Sequence, residues 1–273
     1  MLCARIVRGA TALALAGGVN AAAAGCGAPA WGAVAGLEHS QWQEYAADGS
    51  RLLRERGDLA LAGLQFDIEC EGLQWSAQWL RSQGERSYDG RTNAGVPFQS
   101  QTRVRLERLQ LQAWWPLQPS WALGARLRQQ TLEREIAGRG AVLGYPERYR
   151  YWQASIGLRH RQVLASHLDW HVALWLGAGP KGSVRVELPG YDPAVLDLGR
   201  SRVLSLELGL QGGARAEQTG WTWNALLAYG REATSAGPNT LLTRLGRPVG
   251  ASARQPRFAQ QQWQFRAGAA YRF

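Results

Sequence analysis

From about residue 38 onward, apolar side chains fall at every second position in segments of 8–12 residues. Leu64, Phe66 and Ile68 alternate with Gln65, Asp67 and Glu69, and Leu109, Leu111, Ala113 and Trp115 with Arg108, Gln110 and Gln112. Trp121, Leu123, Ala125 and Leu127 frame Gly124, Arg126 and Arg128, and Leu204, Leu206, Leu208 and Leu210 frame Ser205, Glu207 and Gly209. A period of two means strands with one apolar face and one polar or small face. Counting in this way, with a less regular first segment at 38–46, predicts ten strands, with eight or twelve as alternatives. Short links are predicted at about 70–72, 116–120, 160–167 and 211–219, and long polar links at 47–61, 86–101, 134–148, 179–200 and 231–259.

Short turns at one end and long loops at the other describe an up-and-down meander. Inside a bilayer every backbone group needs an internal partner, so a sheet can span it only as a closed barrel. The apolar face would then meet lipid and the polar face the lumen. Aromatic residues fall near strand ends, as interfacial belts require: Trp115, Trp121, Trp170, Trp221, Tyr271 and Phe273 toward one rim, Trp79, Trp152, Tyr229 and Trp263 toward the other. The competing arrangement is a soluble barrel with the same alternation and the apolar face inside. The predicted fold class is all-β, an antiparallel up-and-down transmembrane β-barrel of about ten strands over residues 38–273.

Composition agrees with alternation. Hydrophobic residues make up 45% of the 273 residues and charged residues 19%, which with 13 Trp excludes a disordered chain. Past the N-terminal segment, no stretch offers the roughly 18 consecutive apolar residues of a membrane helix. The formal charge is +10, and Lys181 is the sole lysine among 31 basic residues. Such an arginine bias is also what a GC-rich genome produces, so it is weak grounds for a nucleic-acid partner, and none is expected.

Residues 1–24 read as a secretory signal: Arg5 and Arg8, an apolar run from Gly9 to Val19, then the small residues Ala21–Ala24. Its removal takes away two arginines and leaves +8. Residues 25–37 would form a periplasmic N-terminal segment. Cys3 leaves with the signal, so Cys26 and Cys70 form an even pair in an oxidising compartment and are candidates for a disulfide. Ala23-Ala24-Gly25-Cys26 also resembles a weak lipobox of bacterial lipoproteins, which implies lipidation of Cys26 as the alternative.

The last eight residues, Arg266-Ala267-Gly268-Ala269-Ala270-Tyr271-Arg272-Phe273, resemble the terminal β-signal of Gram-negative outer-membrane β-barrel proteins. The matching positions are Arg266, Gly268, Tyr271 and Phe273. This resemblance implies an outer-membrane location, assembly by the barrel-assembly machinery, and a periplasmic C-terminus. The long loops then face outside, and outer-membrane lipid and lipopolysaccharide become the expected surroundings. It also puts Cys26 and Cys70 on the same side.

Candidate chemistry is sparse. Of four histidines, His39 opens the first strand, His160 and His167 lie in a periplasmic turn, and His171 points inward. Omptin proteases combine acids with a His near the outer rim. Here the external links hold Asp48, Asp58, Asp89, Glu133, Glu135, Glu187, Asp192, Asp197 and Glu232, and no His. Lipid A deacylases use a His-Ser dyad on the lipid-facing wall, and lipid A palmitoyltransferases a His, Asp and Ser set toward the outer side. No matching nucleophile–base pair is evident, nor any metal or cofactor motif. The lumen is expected to hold a charge network of Asp67, Glu69 and Glu207 with Arg108, Arg126, Arg128 and Arg266. That network is either a satisfied polar plug or the lining of a narrow, anion-favouring pore. The loop from Arg231 to Phe258 is basic and suited to lipopolysaccharide phosphates. The expected role is non-enzymatic: binding, or an envelope or export function with a partner. A narrow channel is the first alternative, and an omptin-like or lipid A-modifying enzyme the second.

Overall fold

The computed structural model describes residues 25–91, 95–214 and 218–273. Residues 1–24, where the signal falls, lie outside the described residues, as do Thr92, Asn93 and Ala94 of one predicted external loop.

Ten long strands close into one antiparallel barrel: β1 (Ala30–Tyr45), β2 (Arg51–Cys70), β3 (Leu73–Arg91), β4 (Pro97–Gln118), β5 (Trp121–Ile136), β6 (Tyr145–Ala165), β7 (Leu168–Gly179), β10 (Ser201–Gly213), β11 (Gly220–Thr234) and β14 (Arg257–Arg272). Each pairs with its neighbour in sequence, and β14 closes on β1 with Tyr45 opposite Arg257 and Ala30 opposite Arg272. Two short hairpins sit in the last two long loops: β8 (Ser183–Val186) with β9 (Ala194–Asp197), and β12 (Thr240–Arg244) with β13 (Arg247–Ala253). The first adds to the barrel wall, since β8 pairs with the top of β6.

Both termini lie at the end that carries the short turns, called here the terminal end; the opposite end is the loop end. Three expectations shift. The first strand begins at Ala30 rather than 38, so among the described residues 25–29 precede the barrel. Its first half presents Gly32, Val34 and Gly36 to the lumen and Trp31, Ala33 and Ala35 outward, and these small residues blur the alternation. The links predicted at 47–61 and 86–101 are mostly strand, and that at 134–148 is nearly half strand, leaving 46–50 and 137–144 as loops. The link at 160–167 shrinks to 166–167.

These strands extend because the alternation inverts. Near the terminal end Leu64, Leu109, Leu111, Leu123 and Leu127 face outward and are exposed. Toward the loop end Leu59, Leu61, Val104, Leu106, Leu132 and Ile136 face inward and are buried, while Arg103, Arg105, Glu133 and Glu135 face outward. The ladder runs through the change without a break, from Trp114–Gly124 up to Thr102–Ile136. The molecule is thus a barrel with an apolar belt around one half and an apolar core inside the other. Trp221 and Tyr229 mark the belt on β11, paired with Tyr271 and Trp263 of β14. Eight residues separate them (229−221), about 26 Å along a strand. With a strand tilt of about 40° that is about 20 Å along the axis, close to the ~25 Å apolar band of membrane barrels.

Candidate functional site

The lumen is filled by layers of side chains that the strand pairing brings together from distant parts of the chain. Nearest the terminal end, Trp114 of β4 and Trp175 of β7 meet at 4.5 Å between ring centroids. They fit because Gly124 and Gly157 face them; a Cβ on Gly157 would lie 2.4 Å from the Trp175 ring. The Arg126 guanidinium lies 3.8 Å over Trp175 and donates to Glu207 at 2.7 Å, and Trp175 Nε1 donates to the other oxygen of Glu207. Arg159 lies over Trp114 at 4.5 Å.

Higher up, Glu38 of β1 is fully buried and accepts four hydrogen bonds: two from Arg108, one from Ser82 and one from Gln264. Arg128 donates to Gln110, and Arg266 to Gln78. A cavity of about 20 Å³ beside Arg108, Arg128, Glu207 and Arg266 has room for about one water.

A third layer centres on Arg134 of β5. It donates to Glu44 at 3.0 Å, Glu55 at 2.7 Å, Glu147 at 2.7 Å and the Tyr149 hydroxyl at 3.1 Å. Arg86 stands 3.7 Å from the second oxygen of Glu55. Burying this many charges is tolerable only because each carboxylate is met by a guanidinium or a hydroxyl donor. An apolar core occupies the same half of the barrel: Trp42 stacks on Phe258 at 4.1 Å, with Leu59, Leu106, Leu132, Val184 and Leu198 in the same cluster.

Of the residues the sequence assigns to the lumen network, Arg108, Arg126, Arg128, Glu207 and Arg266 come together in these layers. Asp67 and Glu69 do not; they lie in the last residues of β2 at the terminal end, opposite Ser76 and Gln74. The central acid is instead Glu38, and the largest network centres on Arg134, in a segment that alternation predicts as a loop. Its signal was available: Leu106 and Leu109, or Leu61 and Leu64, stand an odd number of residues apart, so the apolar set has changed face between them.

Cys26 and Cys70 are disulfide-bonded, flanked by hydrogen bonds from Glu71 N to Gly25 O and from Gly27 N to Glu69 O. A bonded Sγ has no thiol left for a lipid thioether. Tyr271 faces outward on β14, whereas Arg266 and Gly268 face the lumen.

His39 and His160 stand elsewhere than expected. His39 is well up β1, faces outward, and its Nδ1 is 2.7 Å from Asp58 of β2. Asp58 belongs to strand rather than loop. The pair is exposed and none of the hydrogen bonds found for it brings in a nucleophile. His160 lies in β6 between the rings of Trp121 and Trp170 in the outer aromatic girdle. His171 faces inward, against Gly209. Among the described residues no group of three or more His, Cys, Asp or Glu converges as metal ligands.

At the loop rim, Asp192 ties two loops together. Its carboxylate accepts from Thr243 Oγ1 at 2.8 Å, Gly246 N at 2.9 Å and Leu245 N at 3.1 Å, and Arg244 Nε donates to Gly190 O at 2.7 Å. These donors hold the Asp192 carboxyl below the usual carboxylate value, the Gly246 amide most of all.

No protein-family model matches the chain, and no curated protein matches it. Among solved structures it is similar to the outer membrane protease OmpT from Escherichia coli, at 11% identity and a TM-score of 0.61, covering 90% of this chain and 97% of that one. The beta domain of the Bordetella autotransporter BrkA (15% identity, TM-score 0.44, 90% of this chain and 100% of that one) and the Pseudomonas putida toluene transporter TodX (11%, 0.36, 90% and 90%) match more loosely. Closed on itself, with an apolar exterior belt and a polar lumen, the chain has the all-β, antiparallel up-and-down fold of the outer-membrane β-barrel proteins.

Proposed function

We propose that the chain is an integral outer-membrane barrel that neither conducts nor catalyses, and that presents a rigid projection at the cell surface for binding or an envelope or export role. The observation that carries this reading is the filled lumen. Three charged layers and an apolar core occupy it from wall to wall, with Glu38, Trp42, Glu55, Arg86 and Arg134 fully buried. A spanning strand needs about 9–11 residues, yet β2, β3, β4 and β6 have 20, 19, 22 and 21. About half of each therefore projects beyond the belt as a wall with its own soluble-type core. Such a wall holds the loops in fixed relation, as a binding surface requires.

The C-terminal motif supports a periplasmic terminal end and a surface-exposed loop end. Arg266, Gly268, Tyr271 and Phe273 would be read by the barrel-assembly machinery before the strand is paired; deleting Phe273 is expected to reduce the folded, membrane-inserted fraction. Folded protein should migrate faster than heated protein in detergent gels and give no stepwise current in planar bilayers. A steady conductance whose ion selectivity changes when Arg126 and Arg128 are neutralised would establish the channel instead. Turnover of peptides or lipid A by purified protein would establish an enzyme.

A further inference from the structure

A cavity of about 720 Å³ opens on the outer face of β10, β11 and β14 just past the apolar belt. Its floor is made of small residues, among them Ala178, Ala233 and Ala259, and its lining includes Arg200, Arg202, Arg231 and Arg257 and no acid. Arg202 stands opposite Ala233, with Arg231 two residues below on the same strand. That diagonal spacing, about 7–8 Å, lets two guanidinium groups close on one phosphate. Arg257 is set above them, its guanidinium over the Tyr45 ring at 4.9 Å.

The opposite wall shows what such arginines do where no ligand is needed. There Arg103 pairs with Glu135 at 3.1 Å, Arg105 with Glu133 at 3.6 Å and Arg148 with Glu133 at 3.3 Å. Among the described residues, the four arginines of the cavity have no carboxylate partner. Four like charges around one hollow repel one another unless an anion joins them. Immediately below lie Leu204, Leu206 and Trp263, exposed in the belt, with Tyr229 half-buried against Trp263. An anion seated here would be joined to something apolar that lies along that surface.

We propose that this cavity binds the phosphorylated sugar headgroup of an outer-leaflet glycolipid of the lipid A type, with Arg202 and Arg231 clamping one phosphate and Arg257 positioned for a second. Its acyl chains run down over Leu204, Leu206 and Trp263. The proposal rests on the membrane reading given above. It commits to a bound lipid rather than a free phosphate, because the arginines and the belt form one continuous surface.

The test is native mass spectrometry of the folded protein in detergent, titrated with bisphosphorylated lipid A, dephosphorylated lipid A, or inorganic phosphate. Wild type should retain one bisphosphorylated lipid A, and the Arg202→Ala/Arg231→Ala variant should bind it at least about tenfold more weakly. Arg103→Ala/Arg105→Ala, on the charge-paired wall, should bind as wild type does. Equal binding of the dephosphorylated lipid, equal loss in the control variant, or competition by inorganic phosphate at comparable concentration would each overturn the proposal. Heat-modifiable migration of the same samples separates the two readings. Protein that is heat-modifiable but binds no lipid A refutes only the site, whereas protein that is not heat-modifiable refutes the barrel.

Discussion

Replacing Glu38 by alanine removes the acceptor on which the middle of the lumen is organised. The carboxylate is fully buried and receives Arg108 Nη1 at 2.7 Å, Arg108 Nη2 at 2.8 Å, Ser82 Oγ at 2.8 Å and Gln264 Nε2 at 3.1 Å. Arg108 is itself 2% exposed and keeps only neutral acceptors, Gln262 Oε1 at 2.7 Å and Ser82 Oγ at 3.4 Å. Leaving one half of a buried pair uncompensated costs about 3–5 kcal/mol, a factor of roughly 10²–10⁴ in the unfolding constant. The double change Glu38→Ala/Arg108→Ala removes both charges and should cost less than Glu38→Ala and Arg108→Ala summed, by about 2–3 kcal/mol of coupling. Urea unfolding in phospholipid vesicles, followed by tryptophan fluorescence, measures all four proteins. Glu133→Ala, which breaks the exposed pairs with Arg105 and Arg148, provides the scale and should cost under about 1 kcal/mol. If the two single changes at Glu38 and Arg108 add within about 0.5 kcal/mol, the layered-charge account of the lumen is wrong.

Unreduced mature protein should weigh two protons less than its reduced form, and Cys70→Ser should cost up to about 4 kcal/mol for a sequence separation of 44 on the loop-entropy account; an unchanged mass would remove the bridge. Gly157→Val drives a side chain into the Trp175 ring, where even a Cβ would stand 2.4 Å away. A loss of about 1–3 kcal/mol is expected, and wild-type urea stability would show that the two tryptophans do not fill the lumen there. Asp192→Asn should speed amide exchange at Leu245 and Gly246 while β1 and β2 keep theirs. Because the Asp192 carboxyl is held below its ordinary value, the clasp is fully formed above that ordinary value and is lost as pH falls through the lower folded one. Exchange at Leu245 and Gly246 that is flat across that interval would count against the clasp.

Much of the barrel was legible as period-two alternation. Leu204 to Leu210, or Trp121 to Leu127, can satisfy an apolar outer face in only one register, and that register recurs through the chain. The projecting walls look like loops in the sequence, because alternation reveals a strand only where its apolar face stays fixed. On β4, Val104 and Leu106 point inward while Leu109 and Leu111 point outward, so the pattern breaks where the backbone ladder does not. The candidate network suffered in the same way. Arg108, Arg126 and Glu207 were found from alternation within single strands. Glu38, Glu44, Glu55 and Arg134 lie in segments whose alternation predicts strand ends or loops.

By itself, the sequence determined the strand period, the antiparallel order, the outward aromatic girdles and the pairing of Cys26 with Cys70 as a candidate, since each depends on neighbours a few residues apart or on simple counting. Only the tertiary structure decided which charges meet. Arg134 reaches Glu44, Glu55 and Glu147 across 90, 79 and 13 residues of chain, and those encounters follow from closure of ten strands into a ring whose stagger no single strand records. Closure likewise sets Arg202 and Arg231 in one hollow without a carboxylate, while Arg103 and Arg105 on the far wall find one each.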